Sequence, residues 1–110
     1  MIKGTIAQIE EKIQKADSLS DGNRRELLSL VSVLKAEVTR LSGTHGEQAE
    51  SIAGFTALST HEATRENRDP RLLKPALQGL SSSVKGFEVT HPRLVETVNS
   101  ICETLADMGI

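Results

Sequence analysis

The chain has 110 residues, 13 Lys and Arg against 15 Asp and Glu, and a formal net charge of −2 with the two signs mixed. That is the length of one domain with a modest core, and it excludes the basic surface a polyphosphate ligand would need. Tyrosine and tryptophan are absent and only two phenylalanines are present, so the core must be built from Leu, Ile, Val and Ala.

No apolar run of about 18 residues offers a membrane span. Met1-Ile2-Lys3-Gly4 leads straight into a polar, periodic segment, which predicts no signal peptide. The single cysteine, Cys102, leaves no internal disulfide. A cytoplasmic setting is expected from this.

Ile2, Ile6, Ile9 and Ile13 step by four, three and four residues, with Gln8, Glu10, Glu11, Lys12 and Lys15 on other faces. This spacing predicts an amphipathic helix over 3–17. Its β-branched residues lower intrinsic propensity, so docking of the isoleucine stripe must stabilise it. Ser18, Ser20, Asp21, Gly22 and Asn23 form a turn. A second helix is predicted over 21–42, on Leu27, Leu30 or Val31, Leu34, Val38 and Leu41. Asn23 and Glu26 could cap it as a box, or Ser20 or Asp21 one turn earlier. Gly43 is placed to end it in the left-handed conformation. The two helices make an N-terminal hairpin, 3–42.

Thr44-His45-Gly46-Glu47 has the T-x-x-E spacing of a capping box and opens a third helix over 45–68. Its apolar face is thin: Ala49, Ile52, Ala53, Thr56 and Ala63, with Phe55 and Leu58 elsewhere and Gly54 weakening it. Residues 44–69 carry Glu47, Glu50, Glu62, Glu66 and Asp69 against Arg65 and Arg68. This acidic connecting helix reads as an arm that docks on its own chain or on another.

Asp69-Pro70 signals a helix restart, and Pro75 either kinks the next helix or begins it. Leu73, Leu77, Leu80, Val84 and Phe87 predict a helix over 72–88; Leu94, Val98, Ile101, Leu105 and Met108 predict one over 92–107. Thr90 or His91 would cap the latter before Pro92. A short connection predicts an antiparallel hairpin with facing stripes, burying Leu80 and Ile101, and the rest of the chain is expected to be arranged around this pair. Leu72, Ala76, Gly79, Ser83 and Gly86 fall on a second side of the first of these helices. Small residues there allow close backbone approach, so this is a candidate helix-packing or self-association face; the plainer alternative is that it faces water. The prediction is an all-α single domain over 1–110, a small bundle of antiparallel hairpins with about five helices.

His61-Glu62-Ala63-Thr64-Arg65 falls short of the zinc-protease H-E-x-x-H, because Arg65 cannot bind a metal cation. An i,i+3 surface pair, Glu62 with Arg65, explains it more simply. His61, Glu62, Arg65, Glu66 and Arg68 are nonetheless the densest group of functional side chains and form a candidate polar binding surface. His45, His61 and His91 lack ligand spacing, and His91 reads as a turn or cap residue. Cys102 reads as a small hydrophobe beside the buried stripe. Ser81, Ser82 and Ser83 have no strand–elbow–helix context, and no glycine-rich phosphate loop exists. No catalytic residue, metal or cofactor is expected, and the protein is expected not to be an enzyme.

Gly86-Phe87-Glu88, His91-Pro92-x-Leu94 and Leu105-Ala106-x-Met108-Gly109-Ile110 resemble the C-terminal signature of an uncharacterised bacterial family of short all-helical proteins, classed as a domain of unknown function. The likeness is tight over 77–110 and loose over the first hairpin, and 44–69 is longer than in the shorter members. It implies a bacterial, cytoplasmic setting and carries over no catalytic residues. Two functions remain. One is a structural or protein-interaction domain that self-associates as a homodimer or docks on a protein partner. The other is a small-ligand or regulatory binding domain using His61–Arg68, with His91. Neither nucleic acid nor membrane is an expected partner.

Overall fold

The computed structural model describes residues 1–108. It consists of α1 (Ile2–Lys15), α2 (Asp21–Ser42), α3 (Gly46–Thr64), α4 (Pro70–Ser83) and α5 (Pro92–Met108), with no strand among the described residues. The all-α, five-helix bundle expected from the sequence is therefore the fold. Its helices lie in two layers. One holds α1, α3 and α4 side by side; the other holds α2 and α5. α1 touches neither α4 nor α5, and α2 does not touch α4, whereas α3 touches all four other helices.

The chain is thus organised around α3, not around the C-terminal pair. The physical reason is side-chain size. Ala49, Ile52, Ala53, Thr56, Ser59, Thr60, Glu62 and Ala63 are buried on α3. Only one is a large aliphatic, so neighbouring helices come close on several sides and their own large residues fill the space between. Ile6, Ile9 and Ile13 of α1 and Leu73 and Leu80 of α4 are all buried. A buried hydroxyl is tolerable when it finds an acceptor. Thr56 Oγ1 donates to the Ile52 carbonyl at 2.8 Å, as the half-buried Thr64 Oγ1 does to that of Thr60 at 2.7 Å. Ser59 Oγ is buried with no partner.

The helix ends show where local chemistry departs from expectation. α1 stops at Lys15, and Ala16 is extended. The carbonyls this exposes are taken by Arg24 of α2: Nη1 donates to Ile13 O at 2.5 Å and Gln14 O at 2.9 Å, and Nη2 to Ala16 O at 2.9 Å and Leu19 O at 3.3 Å. One planar guanidinium with several donors closes the whole turn. Among the caps proposed for α2, Ser20 serves: its Oγ accepts from Asn23 N at 3.1 Å. Gly43 is not left-handed but right-handed, at φ −68° and ψ −26°. Nor does the Thr44 capping box form; the Thr44 hydroxyl pairs with His45 Nδ1 at 2.8 Å, and α3 begins without a side-chain cap.

α4 begins at Pro70, earlier than expected, because Asp69 caps it by accepting from Arg71 N at 2.9 Å. It runs through Pro75 and ends at Ser83, short of 88. Ser83 Oγ turns back onto the Leu80 carbonyl at 2.6 Å, and Gly86, at φ 98°, reverses the chain. α4 and α5 do meet, with Leu80 and Ile101 buried, yet α4 packs more extensively on α3 and α5 on α2. Leu94, Val98, Ile101 and Leu105 form the buried stripe of α5.

Burial on α3 should separate two substitutions sharply. Ile52→Ala is expected to cost about 2–5 kcal/mol. Ser59→Ala, which removes an unpartnered buried hydroxyl, is expected to leave stability unchanged or raise it by about 1 kcal/mol. Urea unfolding of the two variants beside the parent checks both.

Candidate functional site

The polar cluster at the end of α3 converges only in part: His61 and Arg65 line one groove, and the other members point elsewhere. Successive helical residues point about 100° apart, so five neighbours in sequence reach different surroundings. His61 is exposed, with its Nδ1 3.1 Å from Lys12 Nζ of α1. Glu62 turns inward, is buried, and accepts from Arg65 Nη1 at 2.8 Å. Arg68 lies past the helix and donates to the Met108 carbonyl of α5. Glu66 is exposed.

Beside His61, an open groove of about 480 Å³ runs between α1 and α3, lined by Gln8, Glu11, Lys12, Lys15, His61 and Arg65. Lys15 and Glu11 pair along its α1 wall, one helical turn apart, at 2.6 Å. Their hydrogen bond holds the Glu11 carboxyl below, and the Lys15 ammonium above, its ordinary range. Lys12 and Lys15 fall in the last turn of α1, where the helix dipole stabilises cations, and with Arg65 they make the lining of the groove more basic than acidic. Among the described residues, no group of three or more His, Cys, Asp or Glu could hold a metal ion.

The small-residue side of α4 is used within the chain. Ala76 is buried, and Gly79 faces Phe55 of α3 so closely that an added Cβ would overlap the phenyl ring. Ser83 is half-buried and Leu72 exposed, while Gly86 lies beyond the helix in the reversing turn. Leu72 belongs instead with a feature the sequence did not reveal. Phe55, Leu58 and Leu72 are 38%, 46% and 48% exposed. Helical spacing places all three along the outer seam between α3 and α4.

Two of the three histidines come together. α3 and α5 start at the same end of the bundle, where α4 finishes. His45 and His91 each meet Phe87 edge-to-face with ring centroids 5.4 Å apart, and their own centroids are 6.4 Å apart. Each imidazole Nδ1 hydrogen-bonds the hydroxyl of the preceding threonine, Thr44 at 2.8 Å and Thr90 at 2.9 Å. The repeated Thr-His before a helix start was the available signal. Edge-to-face packing of this kind stabilises an aromatic group, and it gives Phe87 and His91 a packing role. Gly109 and Ile110, on which the resemblance also drew, lie outside the described residues.

Cys102 is half-buried, with Sγ 3.9 Å from the Leu77 carbonyl. Burial, with a smaller contribution from Glu103, pushes its thiol up to about 11.

A family model described as Domain of unknown function (DUF4404) matches residues 56–110, from the middle of α3 through α5. No curated protein and no solved structure matches the chain.

The α3–α4 contact is testable at Gly79. Alanine favours a helix over glycine by about 1 kcal/mol, but the Phe55 ring occupies the space its methyl needs. In a Phe55→Ala background, Gly79→Ala is expected to be stabilising; with Phe55 present, that gain is expected to disappear. A double-mutant cycle by denaturant unfolding measures the difference.

Proposed function

The chain belongs to the DUF4404 family, and from that premise we propose that it is a non-catalytic helical interaction domain that self-associates as a homodimer. The observation that carries the reading is the exposed apolar seam of Phe55, Leu58 and Leu72. The bundle closes its own core yet leaves three large apolar side chains together on one face. Large apolar side chains left exposed on one face of a small domain are where partners dock, and a second copy is the commonest partner.

Two further observations support this over a catalytic or ligand-binding role. The single thiol, pushed up to about 11, is a poor nucleophile at neutral pH. Of the polar groups of His61–Arg68, only His61 and Arg65 share the α1–α3 groove; Glu62 turns into the core and Arg68 reaches the Met108 carbonyl, whereas a ligand pocket needs such groups to converge. The proposal keeps the bacterial cytoplasm as its setting, from the resemblance of the C-terminal signature, and allows a further protein partner. No helix among the described residues is long and apolar enough to cross a membrane.

Absolute mass by light scattering on a sizing column, across a concentration series, tests the proposal. Twice the chain mass of 11.9 kDa is expected at tens of micromolar. The mass of a single chain at every concentration would overturn the self-association reading.

A further inference from the structure

The outer face of α3, continued by its C-cap Arg65, carries Glu47, Ser51, Gly54, Leu58, His61 and Arg65 at steps of four, three, four, three and four, the positions that one side of a helix presents together. The first five are exposed and Arg65 is partly so. This is the opposite side of α3 from the residues that build the core. It lies along the middle of the three-helix layer, beside Phe55 and Leu72.

We propose that this face pairs with the same face of a second copy, antiparallel about a two-fold axis at the level of Thr56, placing Glu47 against the other copy's Arg65, Ser51 against its His61 and Gly54 against its Leu58. The inference rests on the self-association reading and adds the face, the direction and the register. Three observations carry it. The six positions are symmetric about residue 56, so an antiparallel copy brings acid to base and a small residue to a large one throughout. A parallel copy would instead set Glu47 against Glu47 and Arg65 against Arg65, and like charges facing across an interface oppose association. Gly54 also opens onto free space, with nothing within 4 Å of an added Cβ, while Leu58 is an exposed leucine of a size to enter it.

The polar ends have capacity to spare. Glu47 takes part in no ion pair among the described residues. Arg65 spends Nη1 on Glu62, leaving further guanidinium donors. His61 meets Lys12 through Nδ1, which leaves Nε2 for a serine hydroxyl. Because the axis is two-fold, each contact is made twice.

Disulfide trapping tests the register in the full-length chain, with Cys102→Ser removing the native thiol. Ser51→Cys and His61→Cys are introduced together. Within one helix these positions are about 15 Å apart, too far for an internal disulfide. In the proposed pair they face each other across the interface. Mild oxidation is expected to give a covalent dimer from the double-cysteine chain and little from either single-cysteine chain. As a second reading that leaves α3 packing untouched, Glu47→Arg is expected to weaken association by about tenfold or more. If the parent is a dimer by mass but the double-cysteine chain cross-links no better than the single ones and Glu47→Arg has no effect, this face and register are wrong while self-association stands. A parent that stays monomeric at every concentration overturns both.

Discussion

Close approach around α3 is the constraint on which the other helices depend. A helix that must touch four neighbours cannot carry bulky side chains all round, because each would hold one neighbour at a distance. α3 meets the constraint with Ala49, Ala53, Thr56, Ser59, Thr60 and Ala63 on its buried sides, and its neighbours supply the volume. The isoleucine stripe of α1 needs this surface to dock on, since its intrinsic helix propensity is low. Gly79 of α4 applies the same rule from the other side by making room for Phe55. Ser59 shows the cost of using small polar residues here, a hydroxyl with no partner.

Given that centre, the turns decide what reaches which end. Arg24 fixes the α1–α2 turn by holding four carbonyls. Ser20 and Asp69 set where α2 and α4 begin, and Gly86 sends α5 back along the bundle. The starts of α3 and α5 therefore share one end with the close of α4, gathering His45, Phe87 and His91. The far end collects polar contacts, Lys12 with His61 and Arg68 with the last turn of α5. The exposed apolar seam lies between the two ends, and it suits the functional reading better than either.

Most of the fold was legible in the sequence because α1, α2, α4 and α5 bury large aliphatic residues, whose 3.6-residue period is plain. α3 reads as a thin-faced arm for the complementary reason. The face expected for it, Ala49, Ile52, Ala53, Thr56 and Ala63, is buried, but with Ile52 its one large aliphatic it gives no sign that four neighbours meet there, and Ser59 and Thr60 add to it without any hydrophobic signal. Helix ends were harder, since they depend on tertiary partners. Nothing in the sequence near Lys15 announces that Arg24 will take its carbonyls. Gly43 and Gly86 are both plausible reversing glycines, and only packing makes Gly86 the one with positive φ. The candidate site was the least legible part. Residues 61–68 are contiguous in sequence and fan apart in space, while His45 and His91, distant in sequence, are neighbours.

Native-state hydrogen exchange tests the central position of α3 most directly. Amides from Ile52 to Ala63 are expected to exchange slowest, at rates set by global unfolding, because every route to opening them must first displace a packed neighbour. Exchange of these amides ahead of those in the middle of α2 and α5 would mean that α3 opens independently. The bundle would then be held together by another pair of helices.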